Sequence, residues 1–364
     1  MSRDQLKAIL KLFGILVFLY LFIVGIGAMG HSLKLFGREF SERILNTTAS
    51  PWVGLFIGIL ATSLVQSSST TTSVVVGMVA GGAISIQGAI PIVMGANIGT
   101  TVTNTIVSIG HITRKAEFRR AFAAAIVHDF FNIAAVAVLF PLELATGFLS
   151  RSATYLATLF EGIGGMTLGS PLKAATTPAI TFLAELVGQR PVLLLILAVL
   201  LIFAMLAGIV KVLRSLVLKR VSAFFDEHLF KTAARAFFFG ILLTALVQSS
   251  SITTSLAVPL VGAGLLSLLQ IFPYTLGANV GTTVTAMLAA LSTANVAAIT
   301  VSFAHLLFNL SGILLIWPIK KVRRLPILMA EFAAATAIKN RFLPLLFILF
   351  VFFIIPLIFI VTMR

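Results

Sequence analysis

Two short strings of uncharged polar residues are candidates for binding chemistry, because each lies near the middle of a long apolar stretch. Residues 65–73 return as residues 247–255 with eight of nine positions identical, and both strings contain Gln-Ser-Ser-Ser. Inside an apolar segment, a hydroxyl or amide without a hydrogen-bond partner costs roughly 2–7 kcal/mol. A bound ion or polar substrate would supply such partners. The candidate residues are Gln66, Ser67, Ser68, Ser69, Gln248, Ser249, Ser250 and Ser251.

A second duplicated string follows each member of the first pair. Residues 95–103 return as residues 277–285, at the same offset of 182 residues. Each string begins with Gly-Ala-Asn, and because glycine tolerates conformations that other residues avoid, we expect the backbone to open there in mid-span. The threonines would then supply oxygens. The residues that this pair contributes are Asn97, Thr100, Thr103, Asn279, Thr282 and Thr285.

The chemistry available to these strings is the reversible binding of ions. The first N–H groups of a helix that restarts after a break favour an anion, whereas hydroxyl, amide and carbonyl oxygens favour a cation. Neither string contains an acidic residue, so an alkali cation would be held weakly and an anion would meet no fixed negative charge. For any single Ser or Thr, a hydrogen bond within its own helix or small-residue packing is the alternative. The duplicated set as a whole favours binding.

A third pair places a histidine and an asparagine inside apolar runs. His128 and Asn132 return as His305 and Asn309, at an offset of 177 residues. The spacing of four puts His and Asn on one helix face. Ionisable residues inside a membrane are functional candidates, although Asp129 has no acidic counterpart in the second copy. The pair predicts either a hydrogen bond between helices or a role in gating or substrate contact.

The composition predicts an all-α polytopic membrane protein. Hydrophobic residues make up 59% of the chain and charged residues 10%, against about 25% charged in a soluble domain. No small-residue cleavage site follows the first apolar run, so no signal peptide is expected. The absence of cysteine excludes disulfides, thiolate catalysis and iron–sulfur clusters. The net charge of +15 is concentrated in short loops between apolar runs, so nucleic acid is not an expected partner.

Long apolar runs give the predicted membrane spans. A bilayer core about 30 Å thick needs about 20 apolar residues. Runs of that kind cover residues 8–30, 87–109, 118–142, 191–213, 265–290, 294–317 and 342–362. Residues 52–82 and 234–262 are longer and are interrupted at their centres by the Gln-Ser-Ser-Ser strings. We expect each to be a re-entrant helical hairpin that turns at its string, since irregular backbone at that depth needs protein or a wet cavity around it.

The basic loops predict the orientation of these segments. With re-entrant hairpins, the four basic groups at residues 3–11, 114–120, 211–235 and 320–324 fall on the cytoplasmic side with the N-terminus, and the loop 31–50, whose basic residues are partly balanced by acidic ones, falls outside. Three full spans separate the hairpins, so the two copies are inverted repeats, an architecture typical of secondary transporters. The predicted organisation is repeat 1 over 1–142, an extracellular connection over 143–190, repeat 2 over 191–325, and a C-terminal amphipathic segment with an extra span over 326–364.

At these residues the chain resembles the type II sodium-dependent phosphate cotransporters. The resemblance rests on the paired Gln-Ser-Ser-Ser strings, each followed by Gly-x-Asn-x-Gly-Thr-Thr, and on residues 117–122 ahead of His128. It covers residues 50–142 and 234–318 well and the remainder loosely. It implies that the two turns meet at the membrane centre and that their Gln-Ser-Ser-Ser residues hold phosphate. It also implies a sodium site at Gln248, Ser249, Thr282 and Thr285, with Gln66, Ser67, Thr100 and Thr103 as a pseudo-symmetric set.

Three features depart from the family pattern. Ala278 stands where members often have Ser, so one sodium ligand must be a backbone carbonyl or be absent. Arg114 stands where electrogenic members carry Asp, which bears on a third sodium and leaves electroneutral transport open. The connection 143–190 is short and free of cysteine, unlike the large extracellular loop of animal members, so the chain resembles a compact bacterial member.

The function expected from the sequence is sodium-coupled import of inorganic phosphate by alternating access in a bacterial inner membrane. Sodium ions are co-transported, the lipid bilayer surrounds the protein, and no organic cofactor is expected. The alternatives are transport of another oxyanion such as sulfate or arsenate, a passive anion channel, and a membrane-embedded hydrolase with Ser67 or Ser249 as nucleophile. The duplicated set and the lack of a Gly-x-Ser-x-Gly elbow disfavour the hydrolase. The sequence leaves the oligomeric state open.

Overall fold

The protein is described by a computed structural model over residues 3–37, 45, 50–162, 165–221, 229–340 and 342–363. In chain order the helices are α1 (Arg3–Leu35), α2 (Pro51–Val65), α3 (Ser68–Ala80), α4 (Ile86–Ile98), α5 (Val102–Ile109), α6 (Lys115–Thr146), α7 (Phe148–Gly162), α8 (Gly165–Leu186), α9 (Pro191–Val221), α10 (Ala233–Val247), α11 (Ser250–Gly262), α12 (Leu268–Thr293), α13 (Val296–Ile316), α14 (Lys320–Ala337), α15 (Leu343–Leu349) and α16 (Ile355–Thr362). A 3-10 turn (Gly99–Thr101) joins α4 to α5, and a π-helical turn (Phe350–Ile354) joins α15 to α16. Within these ranges no residue lies in a β-strand, and the predicted all-α class is confirmed.

Six helical segments within the described ranges are long and apolar enough to cross a membrane. They are Phe13–Leu35, Ile86–Ile109, Lys115–Thr146, Pro191–Ile209, Val296–Ile316 and Leu343–Thr362. Each overlaps a predicted span. The remaining predicted span, 265–290, corresponds to α12, whose 26 residues extend about 39 Å at 1.5 Å per residue. This helix is less apolar than the six because polar residues such as Asn279 and Thr282 lie along it.

Each Gln-Ser-Ser-Ser string forms the turn between two helices. α2 ends at Gln66, whose backbone is left-handed with φ 59°, and Ser67 is the N-cap of α3. α10 ends in the same way at Gln248, with φ 57°, and Ser249 is the N-cap of α11. The residue with left-handed backbone at the C-terminus of a helix is usually glycine or asparagine. A glutamine at both turns therefore indicates that its side chain is needed there. These turns are called tip 1 (residues 66–69) and tip 2 (residues 248–251).

Glycines bring each hairpin into contact with the helix that follows it. α2 packs on α4, and a Cβ at Gly95 would stand 2.0 Å from the carbonyl oxygen of Leu55. α10 packs on α12, and a Cβ at Gly277 would stand 2.0 Å from the carbonyl oxygen of Phe237. The same close backbone contact occurs in both copies, so the duplicated glycines serve helix packing.

The prediction that the backbone opens at these glycines is wrong in the second copy, and in the first copy the interruption is displaced. α12 continues without a break through residues 277–279. α4 stays helical to Ile98 and changes to a 3-10 turn only at Gly99–Thr101. The physical reason is that glycine here removes a side chain that would clash with the neighbouring backbone. The freedom of glycine to unwind a helix is not used.

Two other segments differ from their predicted form. The connection 143–190 contains two helices, α7 and α8, and α7 packs on α13. The amphipathic segment predicted from residue 326 begins earlier, with α14 at Lys320, and this helix packs on α6. Of the predicted loop 31–50, residues 38–44 and 46–49 lie outside the described residues. The side of the membrane that each segment faces stays a prediction.

Buried apolar side chains form two clusters. One includes Phe131 of α6 and Tyr274 of α12, and the other includes Phe22 of α1 and Ile202 of α9. Many polar side chains of the duplicated strings are buried as well. Buried polar groups need hydrogen-bond partners, and where those partners lie determines the functional site.

Replacement of Gly277 by alanine is expected to destabilise the protein, because the added methyl group would overlap the backbone at Phe237. Overpacking of this kind costs about 1–3 kcal/mol or more. The measurement is thermal unfolding of the purified protein in detergent. Gly14→Ala is the matched control, since a Cβ at Gly14 has no atom within 4 Å. Equal unfolding temperatures for the two variants would contradict the packing.

Candidate functional site

The glutamine of each tip is held by a threonine of the same copy. The Thr103 hydroxyl donates to Gln66 Oε1 at 2.8 Å, and the Thr285 hydroxyl donates to Gln248 Oε1 at 2.6 Å. The amide nitrogen of each glutamine donates to a carbonyl oxygen in the last turn of the preceding helix. Each tip therefore presents an amide oxygen and a hydroxyl oxygen side by side, which is a donor set suited to a small cation.

Each tip also presents hydrogen-bond donors that have no acceptor within the described part of the chain. Ser67 and Ser249 cap the second helix of their hairpins, each accepting a backbone N–H three residues further on, at 3.2 Å and 3.4 Å. The remaining N–H groups of the first turn have no intrahelical acceptor. The hydroxyls of three buried serines donate to no described residue: Ser68, Ser69 and Ser250. Free donors at the start of a helix suit an anion.

Both tips lie at the interface between the two copies. The Ser251 hydroxyl of tip 2 donates to the carbonyl oxygen of Thr100 at 3.3 Å. Close by, Asn104 donates to the Thr254 hydroxyl of α11 at 2.8 Å. In the reciprocal direction, α3 of the first hairpin packs on α12 of the second copy. The first hairpin is therefore packed against the helix of the other copy that carries Gly-Ala-Asn, and the second hairpin is packed against the 3-10 turn and α5, which follow Gly-Ala-Asn in the first copy.

Helix α6 is hydrogen-bonded to both copies at this interface, and we call these contacts the α6 bridge. Asn132 donates to the carbonyl oxygen of Asn97 at 2.8 Å and accepts from the Asn279 amide at 2.9 Å. His128 hydrogen-bonds to Asn279 Oδ1 through Nε2. All four residues are at most 3% exposed. For His128 and Asn132, the hydrogen bond between helices that the sequence predicts is present.

The corresponding residues of the second copy do not form such a bridge. Asn309 donates to the carbonyl oxygen of His305 at 3.0 Å, within α13. The His305 ring is fully buried, and neither of its nitrogens has a hydrogen-bond partner among the described residues. The helix-to-helix bond expected for this pair is therefore absent. The two copies are alike in sequence here and different in contacts.

Two of the predicted ion ligands are bonded within their own helices. Thr100 donates to the carbonyl oxygen four residues earlier at 3.1 Å, and Thr282 does the same at 2.9 Å. This is the back-bonding alternative that applies to any hydroxyl in a helix. Thr282 accordingly lies on the helix that packs beside tip 2, with its hydroxyl hydrogen donated to the carbonyl oxygen of Ala278. Each hydroxyl oxygen keeps an accepting lone pair that an ion could use.

Arg114 lies far from the tips. It precedes α6 and is about 21 Å along the helix axis from His128, at 1.5 Å per residue. It is exposed, and its hydrogen bond to Glu117 at 2.8 Å raises the pKa of Arg114 above the usual value. Arg114 therefore belongs to the surface at the start of α6.

Two polar contacts of the site were missed by sequence reasoning. The Tyr274 hydroxyl donates to the carbonyl oxygen of Thr253 in α11 at 2.7 Å, and Asn104 reaches the same helix. The positions that correspond to them at the offset of 182 are Ile92 and Ala286. A search for duplicated polar residues therefore passes over both. The signal that could have found them is a single polar residue inside an apolar run.

The fold and the site define a polytopic α-helical membrane protein in which two copies of a hairpin unit place uncharged polar tips at a shared interface. The sequence model of the Na+/Pi-cotransporter family matches residues 21–169 and 195–354. The chain belongs to this family.

Two of the relatives illustrate the similarity, and both are mammalian proteins of greater length. The chain is 34% identical to sodium-dependent phosphate transport protein 2A of Ovis aries, over 96% of the chain and 67% of the relative. It is 31% identical to sodium-dependent phosphate transport protein 2B of Homo sapiens, over 95% of the chain and 64% of the relative. No solved structure matches the chain significantly.

Asn132→Leu is expected to lower the free energy of unfolding by about 2–4 kcal/mol, because it leaves buried groups of both copies without partners. Asn309→Leu is the matched control, since the Asn309 amide bonds only within its own helix. We expect it to cost less than about 1 kcal/mol. Thermal unfolding of both variants in the same detergent is the measurement. Equal losses would show that the α6 bridge does not hold the copies together.

Proposed function

We propose that the protein is a sodium-coupled secondary transporter that imports inorganic phosphate by alternating access. The observation that carries the proposal is the pair of tips, where unused serine donors lie beside Gln–Thr oxygen pairs at the interface of the two copies. Membership of the Na+/Pi-cotransporter family supports it. The relatives named above are called sodium-dependent phosphate transport proteins, which supports it further.

Phosphate would bind between the tips. Near neutral pH it carries between one and two negative charges, by analogy with a phosphate monoester whose second pKa is about 6. Its oxygens would accept from serine hydroxyls and from the first-turn N–H groups of α3 and α11. The residues proposed to hold it are Gln66, Ser67, Ser68, Ser69, Gln248, Ser249, Ser250 and Ser251. Because these donors are uncharged, release of phosphate does not require the separation of a fixed ion pair.

Sodium would bind the oxygens that surround each tip. The proposed ligands are Gln248, Ser249, Thr282 and Thr285 in the second copy, and Gln66, Ser67, Thr100 and Thr103 in the first. At tip 2, Thr285 and Gln248 already hold their oxygens 2.6 Å apart. A sodium ion beside the anion lowers the electrostatic free energy of both, and the effect is larger in a site of low dielectric constant than in water. The binding of the two ions is therefore coupled.

Sodium would also supply the driving force for import. An inside-negative membrane potential opposes the entry of an anion by about 2.3 kcal/mol per charge per 100 mV. Co-bound sodium offsets that charge and moves down its own gradient. A carrier loaded with both ions can then reorient more readily than one that holds phosphate alone.

Alternating access needs two similar halves that exchange roles. We therefore propose that the copies are inverted repeats, with re-entrant hairpins that enter from opposite sides of a bacterial plasma membrane. The basic groups at residues 3–11, 114–120, 211–235 and 320–324 support a cytoplasmic N-terminus. Supporting roles at the interface are proposed for the duplicated Asn97, Asn279, His128, Asn132, His305 and Asn309.

The hydrolase alternative receives no support from the geometry. A general base must lie within hydrogen-bond reach of the hydroxyl that it deprotonates. His128 bonds to Asn279 and lies near Asn132, and His305 has no serine hydroxyl as a hydrogen-bond partner among the described residues. Neither histidine is paired with Ser67 or Ser249.

Gln248→Ala is expected to reduce sodium-dependent phosphate uptake at least tenfold, because it removes the oxygen that pairs with Thr285; tenfold corresponds to about 1.4 kcal/mol. Uptake of radiolabelled phosphate into proteoliposomes is the measurement. Gln87→Ala is the matched control, since Gln87 is exposed and lies near the start of α4, beyond the end of α3 that is farthest from tip 1. Unchanged uptake by Gln248→Ala would remove this residue from the site.

Competition in the same assay tests the substrate. Unlabelled phosphate is expected to suppress uptake more strongly than sulfate, and arsenate, which has the same shape and similar charge, is expected to compete in part. Stronger competition by sulfate than by phosphate would show that the transported substrate is another oxyanion. Equal uptake in sodium and in choline buffers would contradict sodium coupling and would indicate a passive channel.

A further inference from the structure

The two copies differ at one buried pair of residues, and this difference points to a second state of the protein. His128 of α6 bonds to Asn279 in the second copy. At the offsets of the duplication, the reciprocal pair is His305 of α13 with Asn97 of α4. That bond is not made. The Asn97 amide donates instead to the carbonyl oxygen of Val93 at 2.9 Å, within α4.

His305 is an unusual residue in this environment. It is 0% exposed and lies in a helix long enough to cross a membrane. Neither ring nitrogen has a hydrogen-bond partner among the described residues. Native proteins rarely contain a buried polar group that lacks a hydrogen bond, and each such group calls for an explanation. A partner that approaches in another conformation would satisfy the ring.

The groups needed for the missing bond are already on neighbouring helices. α13, which carries His305, packs on α4, which carries Asn97. In the same way α6 packs on α12, where the bond from His128 to Asn279 is made. Within the described part of the chain, Asn97 Oδ1 accepts no hydrogen bond, so an acceptor is available.

We propose that His305 hydrogen-bonds to Asn97 when the carrier faces the opposite side of the membrane, while the bond between His128 and Asn279 is broken. This inference rests on the proposed transport function. His305 is then a positioning residue, which acts by stabilising one of two arrangements of the copies. Because one histidine–asparagine bond is exchanged for another, the two states stay close in free energy. A carrier must keep its two states close in free energy if it is to populate both of them.

A different explanation is a buried water that bridges His305 and Asn309, whose Oδ1 also lacks a partner among the described residues. Such a water would satisfy both side chains in the present state. It would not couple His305 to Asn97. The two explanations therefore differ in the outcome of a double-mutant cycle.

The first test is a double-mutant cycle on sodium-dependent phosphate uptake in proteoliposomes. His305→Leu and Asn97→Leu are each expected to lower the maximal rate about fivefold, and the double variant also by about fivefold. Independent sites would give about 25-fold. Asn97→Leu leaves the α6 bridge in place, because Asn132 bonds to the backbone of Asn97. His305→Gln, which keeps a donor, is expected to retain most of the uptake.

The second test needs no transport. Amide hydrogen exchange is measured on the full chain in nanodiscs of phosphatidylethanolamine and phosphatidylglycerol, over residues 61–74 and 243–256. His305→Leu should favour the present state, and His128→Leu should favour the opposite one. The exchange rates at the two tips should therefore shift in opposite directions in the two variants. Loss of packing alone would raise exchange in both variants alike.

Additive losses in the cycle, or shifts in the same direction in hydrogen exchange, would overturn the inference. If the wild-type protein shows no sodium-dependent uptake while the opposite shifts are seen, the proposed function fails and the exchange of partners stands. If His305→Leu does not give monodisperse protein, His305→Phe, which keeps a planar ring, takes its place in both tests.

Discussion

A helix that ends and restarts at membrane depth leaves backbone N–H and C=O groups that lipid cannot satisfy. The chain makes two turns between helices, at Gln66 and Gln248, each with a left-handed glutamine and a serine N-cap, and we propose that both turns lie at membrane depth. Both turns lie at the interface of the two copies, and Thr103 and Thr285 of neighbouring helices hydrogen-bond to their glutamines. The donors that remain free are those that a transported anion could use. The need to satisfy the backbone groups at these two turns therefore explains both the packing of the copies and the free donors of the proposed site.

The α6 bridge is one of the polar contacts that join the copies at that interface, together with those of Ser251 and Asn104. Its asparagine, Asn132, contacts Asn97 and Asn279 at once, and these two residues occupy equivalent positions in the duplicated strings. The buried side-chain amide of Asn132 thus fixes the position of one copy relative to the other. Such a contact is strong enough to stabilise one arrangement of the copies and local enough to break in the reorientation that we propose. His305, the counterpart of His128 in the second copy, has no hydrogen-bond partner among the described residues, which is why we propose a second arrangement in which it gains one.

Much of the fold could be predicted from the sequence, because apolar run length reports a membrane helix directly. The tips were also predictable, since polar residues such as Gln66 and Gln248 stand out inside apolar stretches. The backbone at Gly277 was predicted wrongly because glycine serves both unwinding and close packing, and a sequence does not distinguish the two uses. Asn104 was not predicted to belong to the site because the corresponding residue of the second copy, Ala286, is not polar. The asymmetry at His305 could not be read from the sequence, since His128 and His305 recur with the same spacing to asparagine and differ only in their contacts.

The most direct measurement is a density map of the full-length protein with phosphate and sodium bound in a lipid nanodisc. We predict phosphate density between the tips, within about 2.5–3.2 Å of serine oxygens from both tip 1 and tip 2. Phosphate held by one tip alone would contradict a shared site. So would phosphate found only in the separate cavity of about 620 Å3 lined by Lys115, Arg119 and Arg120.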